Sequence, residues 1–110
     1  MRTLKFIVDQ QIIKQDPNCD FSNLVPGSEG YLQAHFSFSP EWNGFAKIAS
    51  FYSTMGTELK PQILKDGTTC IIPAEALKRI KFEVGVVGKN NRGMKLTTNK
   101  IEIKQDGGNI

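Results

Sequence analysis

Residues 36–51 read FSFSPEWNGFAKIASF and contain the chain's only tryptophan, Trp42. Before Trp42, apolar and polar residues alternate over residues 32–38, which is the period of a strand with one buried face. Pro40 and the pair Asn43-Gly44 then interrupt this alternation. The stretch therefore predicts a strand, a corner that carries Trp42, and a second strand.

The length and composition indicate one globular domain. The chain has 110 residues, of which 39% are hydrophobic and 23% are charged, and this size suits a single modest core. No apolar run approaches the roughly 20 residues that a membrane-spanning helix needs, so we expect no membrane partner. We expect residues 1–105 to form one β-sandwich domain and residues 106–110 to form a flexible tail.

Four further patterns predict where strands begin and end. One strand is expected from about Leu4 to Lys14, with Ile12 facing the core. Glu58 to Lys65 predicts a strand at a sheet edge, because Pro61 cannot donate a backbone hydrogen bond there. Asp66-Gly67 predicts a tight hairpin turn. Met94 to Gln105 predicts one last strand.

These segments together predict an all-β fold, an antiparallel β-sandwich of about seven strands with one short helical turn near residues 73–78. A small barrel is the structural alternative. The glycines at 85 and 88 indicate a close backbone approach or a bulge. The residues expected to form the fold signature and core are Phe36, Trp42, Phe51, Ile72, Phe82, Val84 and Ile101.

The sequence offers little that could support catalysis. His35 is the only histidine, and it lies on the polar face of its strand, where a hydrogen-bonded or solvated role is favoured over that of a general base. Cys19 and Cys70 match no zinc or redox spacing, so two unpaired thiols are expected. We expect no catalytic residue, no cofactor and no metal site, and we predict that the protein is not an enzyme.

Two surface features remain open at this stage. The aromatic residues Trp42, Phe45, Tyr52 and Tyr31 could form a platform for stacking on sugars, although Trp42 is favoured as a core residue. The net charge of +3 permits weak contact with nucleic acid, but the basic segment 89–95 is more typical of a solvated hairpin, so nucleic acid is not expected as a partner. The candidate interaction surface comprises Tyr31, His35, Tyr52, Lys89, Arg92 and Lys95.

Six segments in order resemble one protein family. They are YLQAHFSF at 31–38, EWNG at 41–44, KIASF at 47–51, CIIPAEAL at 70–77, FEVGVVG at 82–88 and TTNKI at 97–101. This series resembles the N-terminal β-sandwich domain of upper-baseplate and related tail structural proteins from phages of Gram-positive bacteria. The resemblance implies a virion module that docks onto tail or baseplate subunits and forms a homo-oligomer. It also implies a location in the virion, or in the host cytoplasm before assembly.

Two other functions are kept as alternatives. In that family the domain usually continues into a coiled coil or a receptor-binding part, whereas this chain ends at Ile110. A phage-encoded inhibitor that binds and blocks a host defence protein, in the manner of an anti-CRISPR protein, is therefore the second hypothesis. A carbohydrate-binding module is the third.

Overall fold

The computed structural model describes residues 1–53 and 55–106, and these form two packed β-sheets. The strands are β1 Arg2–Asp9, β2 Ile12–Gln15, β3 Leu32–Phe38, β4 Ala46–Tyr52, β5 Gln62–Ile63, β6 Thr69–Ile71, β7 Lys81–Lys89, β8 Lys95–Thr97 and β9 Ile101–Lys104. Short 3₁₀ turns cover Pro40–Trp42 and Ala74–Lys78. The predicted all-β sandwich with a helical turn near 73–78 is confirmed.

The first sheet has the order β2-β1-β3-β6, and the second has the order β5-β4-β7 with both β8 and β9 paired to β7. Every strand pair is antiparallel except β1 and β3, which run parallel from Arg2 and Leu32 to Val8 and Phe38. The long connection between β2 and β3 makes this parallel pair possible, because parallel neighbours require a crossover. No local sequence pattern indicated it.

The core lies between the two sheets. Six of the seven residues expected there have no exposed surface, namely Phe36, Trp42, Phe51, Ile72, Phe82 and Val84. Ile101 is only partly buried and packs at the margin of the core. Ile103, on the same face of β9, takes the interior position instead.

The prediction of one strand over residues 4–14 is wrong, because the chain turns at Gln10-Gln11. Asp9 pairs with Ile12 across this two-residue turn, and Gln10 has a φ of 56°, a conformation that glycine or asparagine usually supplies. The turn also shifts the alternation by one residue. Ile13 is therefore buried, whereas Ile12, predicted to face the core, is 57% exposed.

Asp66-Gly67 forms a turn but not the predicted hairpin. The Gly67 N–H donates to the carbonyl of Leu64, and Gly67 has a φ of 84°. However, the strands on either side, β5 and β6, belong to different sheets. The turn therefore carries the chain from the second sheet to the first.

The predicted last strand is interrupted at residues 98–100, which separate β8 from β9. The Thr98 hydroxyl accepts a hydrogen bond from the N–H of Val86, and the Thr98 N–H donates to the Val86 carbonyl. A Cβ atom on Gly85 would lie 3.2 Å from the carbonyl oxygen of Asn99. The close approach predicted at Gly85 is thus what lets both short strands pair with β7.

Candidate interaction surfaces

The Trp42 corner closes one end of the core. The indole has no exposed surface, its Nε1–H donates to the carbonyl of Gln10 at 2.7 Å, and its ring packs against Phe38 with a centroid separation of 5.2 Å. Because neither face of the indole is accessible, Trp42 cannot serve as a stacking platform for a sugar. The structure therefore removes the largest element of the carbohydrate hypothesis.

A polar cleft of about 360 Å³ lies beside this corner, between residues 43–44 and the tip of the β7–β8 hairpin. The Asn90 carboxamide oxygen accepts hydrogen bonds from the backbone N–H groups of Arg92 and Met94, at 3.0 and 2.9 Å. These bonds fix the hairpin tip. Lys89 and Lys95 are directly paired at its base, so three of the predicted interaction residues form one basic tip.

No carboxylate neutralises that tip within the described residues. Among the described residues, Lys81 and Glu102 form an ion pair at 3.6 Å, and this pair lies on β7 and β9, away from the hairpin tip. A cluster of exposed basic residues favours anionic partners, but its effect is weakened by salt. The hairpin tip is therefore a candidate contact surface of modest strength.

The other three predicted interaction residues lie apart from this tip. Tyr31 is 51% exposed just before β3. Tyr52, at the far end of β4, has its ring covered by the Lys100 ammonium group, 3.8 Å from the ring centroid. His35 is half-buried on the outer face of the first sheet, and its Nδ1 atom has no hydrogen-bond partner. The structure does not bring the six predicted residues together.

A catalytic pairing of Cys70 with His35 is not possible in this fold. Cys70 lies opposite Ala34 and its side chain points into the core. His35 follows Ala34 on β3, so its side chain points to the outer face of the sheet. Burial, with a smaller contribution from Asp66, raises the pKa of the Cys70 thiol to about 12. Both cysteines are unpaired, as predicted, and Cys70 is held in its unreactive thiol form.

Neither a metal centre nor a spanning helix is found in the part of the chain that the structure describes. Those residues contain no group of three or more histidine, cysteine, aspartate or glutamate side chains placed to hold an ion. They also contain no helix of the length and apolarity required to cross a bilayer.

The long connection between β2 and β3, residues 16–31, is held against the first sheet. The Arg2 guanidinium donates to the carbonyl oxygens of Asp20, Ser22 and Asn23. The Cys19 sulfur accepts a hydrogen bond from the N–H of Lys5 at 3.3 Å. At this point along β1 the neighbouring strand β2 has already ended. These contacts turn a long loop into a fixed surface.

The two sheets meet along two sides, and one of these sides is closed by hydrogen bonds. Asn99, between β8 and β9, accepts from the N–H of Ile13 in β2 at 2.8 Å and donates its own N–H to the carbonyl of Gln11. The Gln11 carboxamide in turn donates to the carbonyl of Thr97. The outward backbone groups of these edge strands are thus partly satisfied within the molecule, and we call this side the closed seam.

The opposite side, between β5 and β6, is open. Leu64 donates its N–H to Lys47, so the backbone groups of Ile63 point away from β4, because bonded positions alternate along an antiparallel pair. By the same alternation, the Ile72 bond to Leu32 directs the backbone groups of Ile71 outward. We call this side the open seam.

Apolar side chains accompany those free backbone groups. Ile63 is 64% exposed and Ile71 is 41% exposed. They line a groove of about 430 Å³ together with Gln62, Lys65, Asp66, Thr69 and Cys70. Unpaired edges with exposed apolar residues are sites where other chains add. Of the strand predicted over residues 58–65, only Gln62–Ile63 forms β5, and this short strand lies at the edge of the second sheet, as predicted.

The fold is similar to that of a phage protein domain. The structure described as the N-terminal domain of phage TP901-1 ORF48 matches with a TM-score of 0.58 and 11% identity, over 96% of this chain and 100% of that chain. No protein-family model matches the sequence, and no curated protein matches it either. The predicted resemblance to the N-terminal sandwich domain of a phage structural protein is confirmed at the level of the fold.

Proposed function

We propose that this chain is a non-enzymatic structural module of a phage virion, which docks onto neighbouring protein subunits of the baseplate or tail. The observation that carries the proposal is the extent of the structural match. The similarity spans 96% of this chain and the whole of the phage domain, so the shared architecture is the complete domain rather than a common motif. Since one fold can host many functions, a test on the particle itself is required.

Two features of the surface support a docking role. Hydrogen bonds donated by Arg2 fix the long connection, and the bond that Asn99 accepts from the Ile13 N–H fixes the closed seam, which gives a rigid body whose surfaces need little ordering on binding. The open seam offers unpaired backbone groups beside Ile63 and Ile71. A fixed shape lowers the ordering cost of binding, and an open sheet edge is one place where another chain can add a strand.

The chemistry of the titratable residues agrees with a module that catalyses no reaction. Cys70 is a buried thiol with a pKa of about 12, and His35 lies on the other face of the sheet. Neither residue has the partner that would make it a nucleophile or a base. The proposal therefore rests on binding surfaces alone.

The test is incorporation into particles. The chain is tagged in the phage or prophage that encodes it, and particles are purified on a density gradient and analysed by mass spectrometry. We expect the chain to sediment with intact particles in a fixed ratio to a tail subunit. Particles that are complete and infective without the chain, with the chain found only in the unassembled fraction, would overturn the proposal.

A further inference from the structure

We propose that the outer face of the second sheet is the docking site for an acidic surface of another protein, which rests on the docking role proposed above. Ile63 of β5 lies opposite Ile48 of β4, and Ile48 lies opposite Val87 of β7. Val87 in turn lies opposite Thr97 of β8. Directly opposite residues project from the same face of a sheet, so these four side chains form one row across four strands. We call it the apolar row.

The apolar row lies on the solvent side of the sheet. Ala49 and Val86, the next residues along β4 and β7 from this row, are buried in the core, and successive side chains of a strand point to opposite faces. Ile63 is 64% exposed, and Ile48 and Val87 are partly exposed. The solvent face of an antiparallel sheet normally carries polar side chains. Three apolar residues on adjacent strands of this face therefore mark an interaction site.

A pair of lysines borders the apolar row. Lys89 and Lys95 lie directly opposite each other on β7 and β8. Each lies two residues from a member of the row, Val87 or Thr97, so both project from the same outer face. Like charges directly opposite each other destabilise a sheet, and neither lysine forms an ion pair among the described residues. Carboxylates of a partner would relieve this repulsion.

The positive charge of the chain is concentrated in the part that carries this lysine pair. Residues 75–106 contain eight of the 14 basic residues but only four of the 11 acidic residues, whereas the rest of the chain has six basic and seven acidic residues. The segment 75–106 supplies β7, β8 and β9. This side of the second sheet therefore attracts negatively charged partners.

The apolar row favours a protein over nucleic acid as the anionic partner. Proteins hold nucleic acids through phosphate contacts and through bases stacked on aromatic side chains, and the apolar row has no aromatic residue. A second copy packed through the same face is also disfavoured, because the apolar row and the lysine pair contain no carboxylate. The partner that fits has exposed aliphatic side chains bordered by aspartate or glutamate.

The test is crosslinking with a water-soluble carbodiimide, which joins a lysine directly to a carboxylate that it contacts. Cells producing the phage are lysed at low salt, because salt weakens exposed charge pairs, and crosslinked peptides are identified by mass spectrometry. We expect Lys89 and Lys95 to be joined to aspartate or glutamate of one other protein. Crosslinks only to carboxylates of this chain would overturn the proposal. The absence of crosslinks from both lysines, or their loss after nuclease treatment, would overturn it too.

Two double variants then test the charge with the crosslinked protein, purified, by calorimetric titration. Lys89→Glu with Lys95→Glu is expected to weaken binding by at least about tenfold. The matched control, Lys5→Glu with Lys14→Glu, reverses two exposed lysines of the first sheet and should bind like wild type. Val87→Thr keeps the branched shape but adds a hydroxyl to the apolar row, and should weaken binding severalfold. Equal affinities for the two double variants would overturn the proposal.

The outcomes separate this docking site from the virion role. A crosslinked protein that is absent from virions would overturn the virion role and leave the docking site standing. Particles that retain the Lys89→Glu, Lys95→Glu chain in the wild-type ratio to a tail subunit would overturn the docking site and leave the virion role standing. Circular dichroism melts check that each variant is folded.

Discussion

Gly88 of β7 lies directly against the indole of Trp42. A Cβ atom at position 88 would be 2.9 Å from Cζ3 and 3.1 Å from Cε3 of that ring. The indole therefore occupies the space in which a side chain at position 88 would lie. The corner that dominates the sequence depends on a glycine 46 residues further along the chain.

The Gly88→Ala substitution should destabilise the protein by about 1–3 kcal/mol, because a methyl group would overlap the indole in a packed core. Urea denaturation followed by far-UV circular dichroism measures this loss, since the signal does not depend on the ring of Trp42. A cycle with Trp42→Leu supplies the control, since the smaller side chain should relieve part of the overlap. Equal losses from Gly88→Ala with and without the ring would contradict the assigned contact.

Trp42→Ala should reduce the free energy of unfolding by about 3–5 kcal/mol, as is usual for a large buried aromatic side chain. Trp42→Phe should lose less, because it keeps most of the packing but loses the 2.7 Å hydrogen bond to Gln10. Calorimetric melts of both variants provide the measurement. A Trp42→Ala protein as stable as wild type would show that the ring contributes to binding rather than to the core.

Asn99→Ala should open the closed seam. The N–H of Ile13 would lose its acceptor, at a cost of about 1 kcal/mol, and hydrogen exchange at that amide should accelerate. Asn91→Ala, at an exposed asparagine in the β7–β8 tip, is the matched control and should change neither quantity. Unchanged exchange at Ile13 in the Asn99 variant would refute this role.

The two thiols should differ in reactivity. At pH 8 a thiol with a pKa of about 12 is ionised in only about one molecule in ten thousand, so Cys70 should resist alkylation in the folded protein. Cys19, which is half-exposed, should be modified first. Mass spectrometry after iodoacetamide treatment locates the label, and rapid modification of Cys70 before unfolding would contradict its assigned burial.

The same thiol should make stability depend on alkaline pH. The folded pKa of about 12 lies above the reference value of 9.0, so the unfolded chain releases this proton first. The stabilisation is complete below pH 9 and is lost as the pH rises toward 12, by up to about 1.4 kcal/mol per pH unit. Cys70→Ala should lack this component, and identical pH profiles for the two proteins would count against it.

The sequence predicted those parts of the fold that local patterns encode. The alternation in β3 and β7, the Trp42 corner and the turn at Ala74–Lys78 all follow from short-range periodicity and turn residues. The β1–β2 turn was missed because Gln10 adopts a positive φ without a glycine or asparagine to signal it. The single-residue shift that buries Ile13 followed from that turn.

The candidate surfaces were less accessible to sequence reasoning. The open seam brings together Ile63 and Ile71, which the chain separates by a turn between two sheets. Exposed isoleucines in short strands resemble buried ones in the sequence, so only the pairing partners reveal that both lie at edges. Asn99 was quoted as part of a strand motif, and its bridging role depends on a contact 86 residues away.

The parallel pairing of β1 with β3 has a consequence for the order in which this protein is made. During synthesis the β1–β2 hairpin leaves the ribosome first, while the register partner of β1 lies about 30 residues later in the chain. Until β3 emerges, the inner edge of β1 has no hydrogen-bond partner, and Leu4, Phe6 and Val8 also lack the second sheet that covers them in the finished core. In the nascent chain the aggregation-prone edge therefore belongs to β1, a strand that lies inside the finished sheet.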